Sequence, residues 1–222
     1  MSDPAEEAAS QLRAIRSLME RSTIYRAISA PAAAFAGVVS LVLCWWLWSR
    51  RDPAVAPSPV VFMCLWLGVL LVASLVNLAL LYVSARRRGD AFVSPGMKHA
   101  LRALLPPLLA GFIMSLLQVA GDENAHYTCY ANVADNWILF YGLALLATGS
   151  FAPASMQALG AGFFFMGILT FLPMVRDYSR KVYEYDAAVV HMAFSFGALH
   201  LIYAAAVFIQ HRRSKHPAAL AA

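Results

Sequence analysis

The sequence predicts an all-α membrane protein, a polytopic bundle of six transmembrane helices with both termini inside and an amphipathic helix ahead of the first span. Three observations predict it. Of the 222 residues 61% are hydrophobic and only 13% are charged, where a soluble domain has about 45–50% and about 25%. The charges are segregated, which leaves charge-free runs at 27–49, 53–85, 103–121, 136–175 and 187–211. A helix needs roughly 20 apolar residues to cross a bilayer core, and these runs are too long and too evenly apolar for barrel strands. Lysine and arginine, finally, collect on one side of that arrangement, as the positive-inside rule expects.

The elements follow in order. Residues 1–26 read as a cytoplasmic, interfacial helix. Asp3-Pro4-Ala5-Glu6 has the form of an N-cap, a first-turn proline and a capping-box glutamate. Leu12, Ile15, Leu18 and Met19 recur at helical spacing opposite Arg13, Arg16 and Glu20. No apolar h-region precedes residue 27, so no cleavable signal peptide is expected. Glu20 and Arg21 are the candidates for docking a partner on this helix, whose other reading is an ordinary helix packed on the cytoplasmic loops. Residues 27–210 form the transmembrane domain, with spans at 27–48, 59–83, 103–120, 133–150, 154–175 and 187–210, and 211–222 form a cytoplasmic tail. The 136–175 run is about two spans long. It breaks at Gly149-Ser150-Phe151-Ala152-Pro153, because proline lacks an N–H and turns the residue before it away from the helical region. The fourth span carries Asp135 and Asn136 near its start, and Pro106-Pro107 looks like an interruption of the third.

Orientation comes from the 17 basic residues. With the N-terminus inside, Arg13, Arg16, Arg21, Arg26, Arg86, Arg87, Arg88, Lys98, Arg102, Arg212, Arg213 and Lys215 are cytoplasmic. Arg50, Arg51, Arg176, Arg180 and Lys181 are left outside. The net charge of +5 is thus a topology signal with some affinity for anionic lipid, and nucleic acid is not an expected partner. The expected setting is the bacterial inner membrane, the expected partners are the lipid bilayer and a second copy or another membrane protein, and no cofactor is expected. Trp45, Trp46, Trp48, Tyr178, Tyr183 and Tyr185 read as interfacial anchors. Cys44 and Cys64 lie at comparable depth, with two separate buried thiols expected and a disulfide as the alternative; Cys129 stands alone in the outer loop.

Several chemistries are excluded. No span holds a lysine, so no retinal Schiff base can form, and HExxH, CxxC and Walker motifs are missing. Gly142, Gly149, Gly160, Gly162 and Gly167 read as small residues that let spans four and five approach closely. His191 and His200 are nine positions apart, and at about 100° per residue they fall on opposite faces of a uniform helix. A bis-histidine haem within one chain is therefore excluded and would need a symmetric dimer. His200 falls near the midplane, where an ionisable group is costly. Tyr141, Ser74 and Asn77 lie at similar depth, and Tyr203 is one turn away. These five residues are the candidate polar cluster, read either as structural hydrogen bonding or as a relay or ligand pocket. Asp122, Glu123, His126, Asp135 and His191 form a second candidate, a metal site on the outer face, with Cys129 and Asp186 nearby. Solvated acidic loops explain the same residues.

Four stretches together resemble an uncharacterised family of small six-span bacterial integral membrane proteins. They are Ser17-Leu18-Met19-Glu20-Arg21-Ser22-Thr23, Tyr141-Gly142-Leu143-Ala144-Leu145-Leu146, Leu159-Gly160 with Gly167, and Phe196-Gly197-Ala198-Leu199-His200-Leu201-Ile202-Tyr203. The family's polar turn after span four, Asn-Ala-Ser-Lys, is here Ala147-Thr148-Gly149-Ser150, so its lysine is missing. The resemblance implies the six-span topology, directs attention to His200 and Glu20, implies a regulatory or stress setting, and carries no catalytic residue.

Three functions stand in order: a non-enzymatic scaffold, sensor or accessory subunit acting through helix–helix contacts; a small transporter or channel with a midplane site around His200; and a metal- or haem-binding membrane enzyme. If residues 1–26 dock a partner, Glu20→Ala and Arg21→Ala should change oligomeric state or partner recovery in a pull-down from solubilised membranes. Unchanged recovery and unchanged oligomers would remove the reason for calling the segment a docking element.

Overall fold

The computed structural model describes residues 30–89, 95–120, 129–149, 152–181 and 183–215, with Glu7 and Gln11 as isolated helical positions. All elements among them are helical: α1 (Ala30–Trp48), α2 (Pro59–Arg88), α3 (Pro95–Ala120), α4 (Cys129–Ala147), α5 (Ala154–Thr170), α6 (Pro173–Lys181), α7 (Glu184–Met192), a π-helical stretch (Ala193–Leu199) and α8 (His200–Lys215). Four rods are long and apolar enough to cross a membrane: Ala30–Trp48, Pro59–Arg87, Met97–Ala120 and Glu184–Arg213. α5 is a shorter apolar helix, and α4 carries Asn132, Asp135 and Asn136. The helix expected within 1–26, with Glu20 and Arg21, lies outside the described residues, as does the 121–128 loop.

Local chemistry sets the helix ends. Ser58 caps α2 by accepting from the Val61 N–H, Pro59 takes the first helical position, and Gly89 closes the helix at φ 71°, a left-handed conformation that only glycine adopts without cost. The α4–α5 turn falls at the expected place. There the Gln157 amide donates to the carbonyls of Gly149 and Ala152 at 2.9 and 3.1 Å, satisfying oxygens the ended helix leaves open. α5 does not run on to 175: it stops at Thr170, because Pro173 turns Leu172 away from the helical region and then serves as the first residue of α6. Pro106 and Pro107 do not interrupt α3, which continues through both. They remove two backbone donors and leave the Arg102 and Ala103 carbonyls without their helical partners.

α4 is the centre of the bundle and packs against α3, α5 and α7, while α1 packs on the π stretch and α8. α2 leans more lightly on α1 and α4, and α2 and α3, although consecutive, are not among the closely packed helix pairs. Both expose large apolar side chains, Leu71, Leu75 and Leu78 on α2 and Leu109, Ile113 and Leu117 on α3. At the end where α1 stops, Phe62, Tyr130 and Tyr185 close the bundle edge to face. Tyr130 donates to the Pro57 carbonyl at 2.7 Å and Tyr185 to the Leu47 carbonyl at 2.8 Å. Tyr185 is fully buried, so it is a core residue and not an interfacial anchor. Trp45 and Trp48 do stay exposed, with Arg50 over Trp46 and Arg51 over Trp48 at 4.5 and 4.7 Å. The three cysteines are free, with Cys44 and Cys129 buried and Cys64 exposed, so no disulfide joins spans one and two.

Glycine sets how closely the rods approach. A Cβ on Gly142 would lie 2.4 Å from the Phe164 nitrogen, and one on Gly167 would lie 2.7 Å from the Leu139 Cα. Gly160 presses on Leu145 and Leu146 in the same interface, whereas Gly162 faces Leu199 at ordinary distance and Gly149 sits in the turn. Lipid tails are as apolar as leucine, so such backbone contact replaces the hydrophobic effect as the source of helix association. Gly37 and Gly197 do the same for α1 and the π stretch: a Cβ on Gly37 would lie 2.9 Å from the Gly197 carbonyl oxygen. Gly142→Ala is expected to push α5 off α4 and cost about 1–3 kcal/mol, seen as a lower melting temperature in detergent. Gly68→Ala, with nothing within 4 Å of its Cβ, should leave the melting temperature unchanged or slightly raised.

Candidate functional site

The sequence placed five polar residues at one depth, and the structure brings four of them to one cavity. His200, Tyr141, Asn77 and Ser74 line a cavity of about 290 Å3 near the middle of the bundle. Tyr203 is buried elsewhere, its hydroxyl pairing with Ser155 at the start of α5. α1 contributes Ala32, Ala36 and Ser40 to the wall, α3 contributes Leu104, Leu108 and Phe112, and α4 contributes Trp137 and Phe140. From α2 come Trp66, Leu70, Ala73, Ser74 and Asn77. With Leu67 and Val69, which also line it, these positions fall on one broad face of α2.

His200 is held on three sides. Phe196 stacks on its ring at 6.0 Å with an interplanar angle of 19°, Phe163 meets it edge-on at 5.3 Å, and Tyr141 lies at 5.7 Å. Its Nδ1 is 3.0 Å from the Phe196 carbonyl, which can only accept, so Nδ1 carries the proton. Nε2 is then the acceptor, and the Tyr141 hydroxyl donates to it at 3.1 Å. Both ring nitrogens are used, and the imidazole is neutral. No Asp, Glu, Lys or Arg lines the cavity.

His191 and His200 do not face opposite ways. His191 Nδ1 meets Asp135 at 2.8 Å, and His200 meets Tyr141, so both reach across to α4. Opposite faces assumed 100° per residue throughout. The π stretch between them has i→i+5 bonds and puts more residues into each turn, so the rod rotates less per step. This stretch, which local sequence does not announce, aims His200 at Tyr141.

Only Asp135 and His191 of the metal candidates are described, and they form an ion-pair-type contact with each other. Asp122, Glu123 and His126 lie outside the described residues. Among the described residues no three His, Cys, Asp or Glu side chains come together as a metal site. α4 carries further polar pairs here: the Asn136 amide donates to Gln118 at 3.1 Å, and Arg176 donates to Asn132 at 3.0 Å. Each joins α4 to a neighbour, which accounts for three polar residues in an otherwise apolar helix.

Two tryptophans complete the site, and the sequence reading passed over both. Trp66 Nε1 and Trp137 Nε1 are buried without a hydrogen-bond partner, and so is Asn77 Oδ1. All three residues line the cavity. An unmade bond on a buried polar atom costs about 1–3 kcal/mol, so this wall carries unspent hydrogen-bonding capacity. The signal was available, since Trp66 is eleven residues before Asn77 on the same face and Trp137 is four before Tyr141.

Tyr141→Phe is expected to strip His200 Nε2 of its donor and cost about 1–3 kcal/mol in thermal or denaturant unfolding. Adding His200→Phe should recover much of that loss, because no orphaned acceptor remains. Equal and additive losses in the two single variants and the double would show that the pair is not coupled.

No family model, curated protein or solved structure matches the chain.

Proposed function

We propose that the chain is a multi-pass protein of the bacterial cytoplasmic membrane, with α4 and α5 as its fourth and fifth spans, six spans in all and both termini inside. It acts without catalysis, as a sensor, scaffold or accessory subunit whose readout is helix–helix contact. One observation carries this reading: His200 and Asp135, the buried ionisable groups that meet at α4, are held by partners within the protein. His200 spends both nitrogens on Tyr141 and Phe196, and Asp135 is held by His191. A proton path or a catalytic base needs a group free to exchange, and the cavity wall offers no charge to an ion. The glycine contacts at Gly142, Gly167, Gly37 and Gly197 support the same reading, because a bundle packed on backbone responds to small changes as discrete shifts of whole helices. The motif likeness to small six-span bacterial membrane proteins supports the topology. Transport of an uncharged solute is the second reading and rests on the cavity.

Two measurements test the proposal. In a cysteine-free background, Asn124→Cys should be labelled by an impermeant maleimide from outside the cell, and Ser214→Cys only after permeabilisation; the reverse pattern overturns the orientation. In proteoliposomes loaded with a pH-sensitive dye, proton and cation flux should equal that of empty vesicles, and His200→Phe should move the melting temperature alone. A flux that vanishes in a folded His200→Phe variant would establish the transporter reading instead.

A further inference from the structure

The unspent hydrogen bonds of the cavity have a use. Trp66 is 3% exposed and lines the cavity, and its indole N–H is buried without a partner. Trp137, a lining residue from α4, adds a second unpartnered donor, and Asn77, a lining residue from α2, an unpartnered acceptor. The rest of the wall is mostly apolar, with Tyr141 and His200 bonded to each other and the small hydroxyls of Ser40 and Ser74 as its other polar groups. A charged ligand would find no counter-charge there, and a water-soluble one too few polar partners. A pure hydrocarbon would leave the three polar atoms as they are. The volume, about 290 Å3, suits one head group and a short length of chain, at the lower end of the roughly 300–1,000 Å3 of small-molecule sites.

The way in is lateral. Leu70 and Ala73 of α2 and Leu104 and Leu108 of α3 line the cavity, yet α2 and α3 are not closely packed on each other. At the end where α1 stops, Phe62, Tyr130 and Tyr185 block access along the bundle axis. A molecule dissolved in the bilayer can therefore place its head among Trp66, Trp137 and Asn77 and leave its chain between α2 and α3.

We propose that this cavity binds an uncharged bilayer lipid whose head carries a carbonyl. The carbonyl oxygen has two lone pairs and accepts from the indole N–H groups of Trp66 and Trp137. A hydroxyl on the same head donates to Asn77 Oδ1. The inference rests on the membrane placement proposed above and gives that sensor its ligand class.

Photo-crosslinking of the full-length protein in nanodiscs tests it, with three diazirine probes sharing one chain: a diacylglycerol, a prenylquinone and the headless hydrocarbon. Labelling by the diacylglycerol or the quinone is expected to map to α2 and α3 and to fall in excess unlabelled lipid of the same head. Whichever of the two labels identifies the source of the carbonyl, and a hydroxyl requirement singles out the diacylglycerol. Trp66→Phe should weaken competition by about fivefold to tenfold, the value of one hydrogen bond. Ala73→Phe, which fills the cavity from α2, should abolish it, with the melting temperature of both variants confirming the fold. Headless hydrocarbon labelling as strongly as the headed probes, or labelling indifferent to both variants, overturns the proposal. Failure of the membrane placement would appear separately, in the labelling of Asn124→Cys and Ser214→Cys.

Discussion

Backbone contact between α4 and α5 is the constraint on which the rest of the bundle depends. Gly142 meets the backbone at Phe163 and Phe164, and Gly167 meets the backbone at Leu139. Any side chain at either position would drive the two rods apart. Because they touch, Phe163 reaches the Tyr141 ring at 4.7 Å and the His200 ring at 5.3 Å. Tyr141 is thereby held where its hydroxyl meets His200 Nε2. The same logic operates across the bundle, where Gly37 and Gly197 seat α1 on the π stretch that carries Phe196.

The polar groups divide into two kinds. Those on α4 and α7 tie helices together: Asp135 to His191, Asn136 to Gln118, Asn132 to Arg176 and Tyr141 to His200. In an apolar medium each such bond is valuable because the alternative is an unmet donor or acceptor. The second kind is concentrated on the cavity, where Trp66, Trp137 and Asn77 carry unmet groups. Three of the buried polar atoms without a partner among the described residues belong to residues that line this one cavity. The helix that carries Trp66 and Asn77 also packs only lightly on α1 and α4.

Much of the fold was legible because its signals are local. Long charge-free runs mark the apolar rods, the Gly149–Pro153 stretch marks the α4–α5 turn, and glycine spacing marks the α4–α5 interface. The cluster around His200 was legible by depth, since residue number along a helix converts directly to height. Direction around the helix was not. Tyr203 stands at the right height yet faces Ser155, because turning angle accumulates error over a rod that is not uniformly α-helical. Pro106 and Pro107 were misread for a related reason: a proline removes a bond from a helix, and whether the helix survives depends on what surrounds it.

The sequence by itself determined that the chain is helical and apolar enough for a bilayer, and which polar residues share a depth. These follow from composition, from the length of charge-free runs and from proline and glycine, all properties of neighbours along the chain. Only the tertiary structure decided that His191 and His200 both reach α4, that Tyr185 is core, and that two tryptophans with unpartnered N–H groups line a cavity with Asn77. Those facts depend on the π stretch and on how α2 and α4 are placed around the cavity. Both are set by how whole helices pack, which no single helix's sequence contains.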